Sequence, residues 1–380
     1  MSRRRSNGDG GVYRRASDGR WVASLDLDPD GGPTRRRKVP YGATRREVVA
    51  KLREAQQRLA DGASVEDSRI LVGPFLTRWS VEGLGAANIK ATTQENYAGI
   101  ARTHLVPTLG HLRLDRLAPS DVDRLLAGKR QRGLSDSTVR LIYTVLRRAL
   151  DHAARDGLVR RNVAAAVSRP TVAHRDAAVL SPAQAQTLLE AARGQRLCAL
   201  YAVAMAAGLR RGEALALRWS DVDLHAATLR VSRTLSRTAA GLTFTEPKPA
   251  RSRRTIPLPA SLVDELRAHR TRQLAERLAA GSLWRDHDLV FPSLTGTPLD
   301  PRNALRAFTA TAERAGLAGI GLHTLRHTCA SLLLAQGVHP RIVMETLGHS
   351  GISITMDTYS HVMPPQQREA ADRMEGALQW

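Results

Sequence analysis

With only two cysteines in 380 residues, this chain cannot be built on a disulfide frame. Cys198 and Cys329 both lie inside apolar runs of helical character, which predicts buried free thiols in a reducing compartment such as the cytoplasm. Long hydrophobic runs are also missing. No stretch approaches the roughly 20 uninterrupted apolar residues that span a bilayer, and the opening MSRRRSNGDGG lacks the apolar centre of a secretory signal. Neither secretion nor membrane insertion is expected. Acidic residues are scarce beside basic ones, 36 Asp and Glu against 57 Lys and Arg, a formal charge of +21. That excess goes beyond what solubility requires and asks for a polyanionic partner. The basic residues are spread over folded-looking segments, with no separate lysine-rich amphipathic tail, so nucleic acid ranks ahead of a membrane surface. Drift of base composition toward arginine codons is the competing explanation. No internal repeat or long low-complexity tract is present.

A chain of this length is expected to divide into two or three domains, and the pattern along it favours three. Residues 12–15, 21–27 and 35–41 read as short strands separated by turn chemistry at Asp18-Gly19 and around residues 28–33. Thr44 and Glu47 then form a capping-box pattern ahead of Val48, Val49, Leu52, Ala55 and Leu59, spaced along one helix face. Residues 1–62 are therefore expected to form a ββα unit with a basic strand surface. After a polar link, residues 69–167 read as a small helical bundle. Ser120 and Asp123 are expected to cap one helix, and Ser135 to open a longer one carrying Leu141, Val145, Leu146 and Leu150 on its apolar side. Residues 168–179 (SRPTVAHRDAAV) read as an interdomain linker. In residues 180–380, Ser181-Pro182 starts a helix, Gly208 ends an apolar run, three strands fall between Leu229 and Leu258, and the remainder is almost wholly helical. The fold class expected is mainly α with small β-sheets, an α+β chain.

Chemistry concentrates in the last third, in HTLRH, LGHS and TYSH. His323 and Arg326 stand three apart on an apolar helical segment, so one helix face presents both to the same anion. Tyr359 follows His349, and a phenol of reference pKa about 10 is ionised by neighbouring cations at less cost than a serine hydroxyl. Lys248 is the sole lysine beyond Lys129, in a stretch where arginine fills the other fixed-cation positions. An ammonium can give up its proton as a general acid, whereas a guanidinium, with a pKa above about 12, stays charged. His323 with His327 also suggests a metal pair, but HTLRH has no glutamate at its second position and no acidic ligand cluster accompanies it. A packed or helix-capping role suits His327 better.

Together with Arg210 in GLRRGE, these motifs resemble the tyrosine recombinases, specifically the phage-type integrases, and they occur in that family's order. The resemblance touches most of the chain. It implies an N-terminal arm-type DNA-binding domain over residues 1–62, a helical core-binding (SAM-like) domain over 69–167, and a mixed α/β catalytic domain with a C-terminal tail over 180–380. Tyr359 would be the nucleophile, and Arg210 and Arg326 the two phosphate clamps, with Arg211 a decoy beside the first. The segment EPKPARSRRTIPLP is similar to the family's lysine-bearing hairpin, although Pro249-Ala250 departs from the commoner residues after the lysine. His323 and His349 would hydrogen-bond phosphate oxygens, Glu213 would orient the first arginine, and His361 would play a supporting part. The implied reaction is strand cleavage through a 3′-phosphotyrosyl link, reversed by the hydroxyl of a second DNA. No cofactor or metal is implied. The implied partners are duplex attachment sites bound by a homotetramer on two duplexes, with DNA-bending accessory proteins as further candidates. Two rival classes stay open at this point: a DNA-binding protein of the same fold that has lost cutting, and a type IB topoisomerase-like strand cleaver.

Overall fold

The computed structural model describes residues 11–26, 37–60, 70–173, 177–246, 253–348 and 351, with 372, 374, 375, 377 and 378 near the C-terminus. It divides into two compact units, Met1–His174 and Arg175–Trp380.

In the first unit, β1 (Val12–Arg14), β2 (Trp21–Ala23) and β5 (Tyr41–Gly42) form an antiparallel sheet in the order β1-β2-β5, and β3 (Leu25–Asp26) pairs with β4 (Arg37–Lys38). The three expected strands thus become five short ones. Proline has no N–H for the ladder, so the strand expected to run through Pro40 breaks there. Helix α1 (Arg45–Ala60) lays Val48, Leu52 and Ala55 against Ala23 and Leu25. Its start is close to the expected capping box. Thr44 Oγ1 accepts from Glu47 N at 3.3 Å, but the Glu47 carboxylate reaches Ala43 N, at 3.1 Å, instead of closing on Thr44.

A separate apolar core gathers α2 (Val72–Arg78), α3 (Ala91–Ile100), α4 (Val106–Leu109), α5 (Pro119–Gln131) and α6 (Asp136–Arg155). Ser135 caps α6 by accepting from Thr138 N at 3.3 Å, and the helix buries Val139, Ile142, Tyr143, Val145, Leu146, Ala149, Leu150 and Ala153. Each such large apolar side chain contributes about 1.5–3 kcal/mol when fully removed from water. The cap of α5 differs from expectation. Ala118 is the N-cap, Pro119 opens the first turn, and Asp121, not Ser120 or Asp123, reaches back to Ala118 N at 3.0 Å. Proline at the first helical position moved the boundary upstream of both expected caps. Tyr143 Oη donates to Ala164 O and Val167 O at 3.0 and 3.1 Å, pinning the end of the bundle to α6.

The second unit opens as its sequence suggests. Ser181 and Gln184 exchange cap bonds of 3.2 and 2.9 Å at the start of α7 (Pro182–Ala192). Helix α8 (Cys198–Ala206) is apolar nearly all round and is buried among α7, α10 (Ala260–Ala280) and α12 (Leu322–Ala335). Beside it, β6 (Val222–Asp223), β7 (Thr228–Val231) and β10 (Arg254–Pro257) form a sheet in the order β10-β7-β6, while β8 (Thr234–Thr238) and β9 (Gly241–Thr245) make a hairpin. Helices α9 (Arg211–Leu215), α11 (Pro301–Arg314) and α13 (Pro340–Leu347) complete the described part. Cys198 and Cys329 are free and buried, and burial pushes the Cys329 thiol up to about 11. Among the described residues no helix is long and apolar enough to cross a membrane.

Candidate active site

Three chain segments distant in sequence meet around two backbone turns. The first turn is at Gly208, which follows α8 with φ of +61°. A Cβ there would lie 2.5 Å from Leu347 Cδ2 and 3.2 Å from Cys329 Sγ, so only a glycine lets α12 and α13 approach this closely. The second is Gly348, the left-handed C-cap of α13 at φ of +66°.

Arg326 occupies the space between these turns and is 2% exposed. Its Nη1 donates to Gly208 O at 2.6 Å and its Nη2 to Leu347 O at 2.8 Å. Arg210 sits at the N-cap of α9, where its Nη1 donates to Glu213 Oε1 at 2.6 Å and its Nη2 to Gly348 O at 3.0 Å. Successive carbonyls at the end of α13 therefore receive the two guanidinium groups. These carbonyls carry the helix's partial negative charge, which draws cations to them.

Glu213 lies beneath this arrangement, 5% exposed. Its carboxylate accepts from Arg210 N at 3.1 Å, from Arg210 Nη1, and from Arg254 Nη2 at 2.9 Å. Burial pushes its pKa up, but the charges and hydrogen bonds of Arg254 and Arg210 outweigh that cost and hold the carboxyl below its usual range. An ionised carboxylate between two guanidinium groups fixes both of them.

His323 lies in the first turn of α12 with an exposed side chain. Although solvent reaches the ring, partial desolvation where it packs lowers its pKa, and the positive charges of Arg326 and Arg210 lower it further, which favours the neutral form. His327, one turn on, meets it edge to face with ring centroids 4.7 Å apart. It lies within α12, and desolvation with the neighbouring His323 and Arg326 lowers its pKa to about 4.

The described residues thus bring Arg210, Glu213, His323 and Arg326 to one place. Lys248, His349, Tyr359 and His361 lie outside the described residues. One residue of the cluster, Arg254, is not singled out by sequence reading, although a signal for it exists: strand alternation puts it on the same face of β10 as the buried Ile256.

Comparison with known proteins identifies the family. Residues 178–365 match the model of the phage integrase family. An integrase from Streptomyces ambofaciens is 34% identical over 391 residues, covering 99% of this chain and 98% of the relative. The chain belongs to the phage integrase family. A XerC-like tyrosine recombinase from Caldanaerobacter subterraneus subsp. tengcongensis is 29% identical, over 89% of this chain and 91% of its own length. Among solved structures, the fold is similar to that of the Tn1549 transposon integrase in complex with transposon right end DNA, with a TM-score of 0.66 at 20% identity over 80% of this chain and 99% of that one. It is also similar to the lambda integrase tetramer bound to a Holliday junction, with a TM-score of 0.59 at 18% identity over 96% and 97%. The protein is an enzyme, a tyrosine-type site-specific recombinase that breaks and rejoins DNA strands. The inactive-binder and topoisomerase readings are not favoured.

Proposed function

We propose that this recombinase cuts duplex attachment sites with Tyr359 and integrates or excises a phage or mobile element. The observation that carries the reading is the convergence of Arg210 and Arg326 on Gly348 O and Leu347 O. From those two residues the chain runs directly into His349 and on to Tyr359. The Tyr359 phenol oxygen forms a bond to the scissile phosphorus while the bond to the 5′-oxygen breaks, giving a 3′-phosphotyrosyl link and a free 5′-hydroxyl. The Tyr359 proton passes to neutral His323, and the Lys248 ammonium gives its proton to the departing 5′-oxygen. Arg210 and Arg326, with His349, bind the non-bridging oxygens as charge builds on them. Glu213 orients Arg210, and His361 supports the site. The covalent link keeps the energy of the phosphodiester, so a hydroxyl from a second DNA reverses the step without a cofactor.

The wider assembly belongs to the same reading. Residues 1–62 act as the arm-type domain, 69–167 as the core-binding domain, 168–179 as the linker and 180–380 as the catalytic domain. Four protomers act on two duplexes, as the lambda tetramer's Holliday junction suggests, with DNA-bending proteins as accessory partners. Free buried cysteines and the +21 charge fit a cytoplasmic, DNA-associated protein. The test is covalent capture on a nicked suicide substrate carrying the attachment site. Wild-type protein is expected to trap DNA on a denaturing gel. Tyr359→Phe is expected to bind duplex normally and trap none, and covalent product from this variant would transfer the nucleophile to another residue.

A further inference from the structure

Arg254 performs no chemical step in the reaction above, yet it is among the most buried charges in the second unit, its side chain 7% exposed. Its contacts join its own strand to two other segments. Nη2 donates to Glu213 Oε2 at 2.9 Å, which ties β10 to the junction holding Arg210. Nε donates to Thr346 O at 2.6 Å, one of the last carbonyls of α13. Its guanidinium also lies against Gly348, where an added Cβ would be 2.9 Å from Nη1 and 3.2 Å from Cζ. A buried cation is costly unless it is paired and hydrogen-bonded, so a purely structural residue at this point would more economically be apolar. A lysine has no planar fork to reach a carboxylate and a carbonyl on separate elements together.

We propose that Arg254 is a positioning residue for strand cleavage, bracing the Arg210–Glu213 pair against the C-terminal turn of α13. The strand it anchors follows Lys248, the turn it packs on leads into His349, and the carboxylate it pairs with holds Arg210. One side chain therefore sets the spacing between the arginine clamp and the segments on either side of it, without touching the phosphate. Without Arg254, Glu213 keeps a single guanidinium partner, Arg210 gains freedom to move, and the end of α13 loses its tie to β10. Misplacing a reacting group by about 1 Å costs on the order of 100-fold in rate. This inference rests on the reading of Tyr359 and Arg210 given above.

The experiment compares wild type, Arg254→Met, Arg254→Lys and Glu213→Gln in full-length protein on a nicked suicide substrate. Single-turnover cleavage, duplex affinity, thermal unfolding and the pH profile of cleavage are measured for each. Arg254→Met is expected to remain folded at the assay temperature, bind duplex within about twofold of wild type and cleave roughly 100-fold more slowly. Arg254→Lys keeps the charge without the fork and should recover only part of the rate. Losing Arg254 also raises the Glu213 pKa, so the acid limb of the cleavage profile should move to higher pH in Arg254→Met and be absent in Glu213→Gln. Should Arg254→Met unfold, Arg254→Lys alone decides: a lowered rate with a shifted limb supports the positioning role, and a wild-type rate and limb overturn it. Cleavage by Arg254→Met at the wild-type rate, or a loss matched by an equal loss of duplex affinity with the acid limb unmoved, would overturn the inference while leaving the proposed function standing. Failure of wild-type protein to form any covalent complex would instead remove the proposed function, and this inference with it.

Discussion

Arg210 and Arg326 share a target but not an environment, and mutation should separate them. Arg210 has a side chain 39% exposed at a helix N-cap, whereas Arg326 is buried with two donors on backbone carbonyls. In the proposed phosphate-binding role, each supplies a preorganised donor to a charged transition state, and Arg210→Ala and Arg326→Ala are each expected to slow cleavage by about 100-fold or more. Arg326→Ala should also destabilise the fold. It leaves Gly208 O and Leu347 O buried without that partner, at a cost of about 1–3 kcal/mol for each unsatisfied group, while Arg210→Ala removes a part-exposed side chain and still leaves the buried Glu213 carboxylate paired with Arg254, so it should cost less. Single-turnover cleavage with urea unfolding of both variants checks this, and equal stability loss in the two would contradict the burial argument. Sequence reading singles out all four candidate residues that the described structure brings together, because a motif fixes residue type and spacing. It does not find Arg254: alternation along β10 places it on the buried face, but in a chain this rich in arginine that does not set one cation apart, and its partners Glu213 and Thr346 lie far from it in sequence.

At the scale of elements, helix starts with a hydroxyl cap are legible, as at Ser135 and Ser181, since that bonding is local. The start of α5 was not, because an alanine N-cap carries no signal and the proline after it sets the boundary. The end of α13 is the element boundary on which Arg210, Arg254 and Arg326 all converge. Gly348 terminates the helix in the left-handed region, and its carbonyl accepts from Arg210. Gly348→Ala should cost about 1–2 kcal/mol from backbone strain alone, and the added methyl must also displace the Arg254 guanidinium. Cleavage is therefore expected to fall further than stability explains. Thermal unfolding together with single-turnover cleavage tests this, and a variant that unfolds earlier but cleaves at the wild-type rate at low temperature would show the turn to be merely structural.

At the scale of the whole molecule, the N-terminal sheet and α1 own an apolar core of Val48, Leu52, Ala55, Ala23 and Leu25, apart from the core of the helical bundle. Removing residues 1–62 should accordingly spare cleavage of a minimal core site and abolish binding to a second, distant class of site. Gel-shift titration on both site classes beside covalent capture measures this, and a truncated protein that still integrates normally into a full attachment site would reject the arm-domain assignment. The sequence by itself determined the order of the segments, the α+β class and the motif residues, because hydrophobic period, capping chemistry and motif spacing are local properties of a chain. Which carbonyls Arg210 and Arg326 would meet, why Gly208 and Gly348 had to be glycines, and that Arg254 would share Glu213 were decided only by the tertiary structure. Those facts depend on α8, α9, β10, α12 and α13 packing within contact distance, and no local pattern encodes a distance between residues more than a hundred positions apart, as Arg210 and Gly348 are.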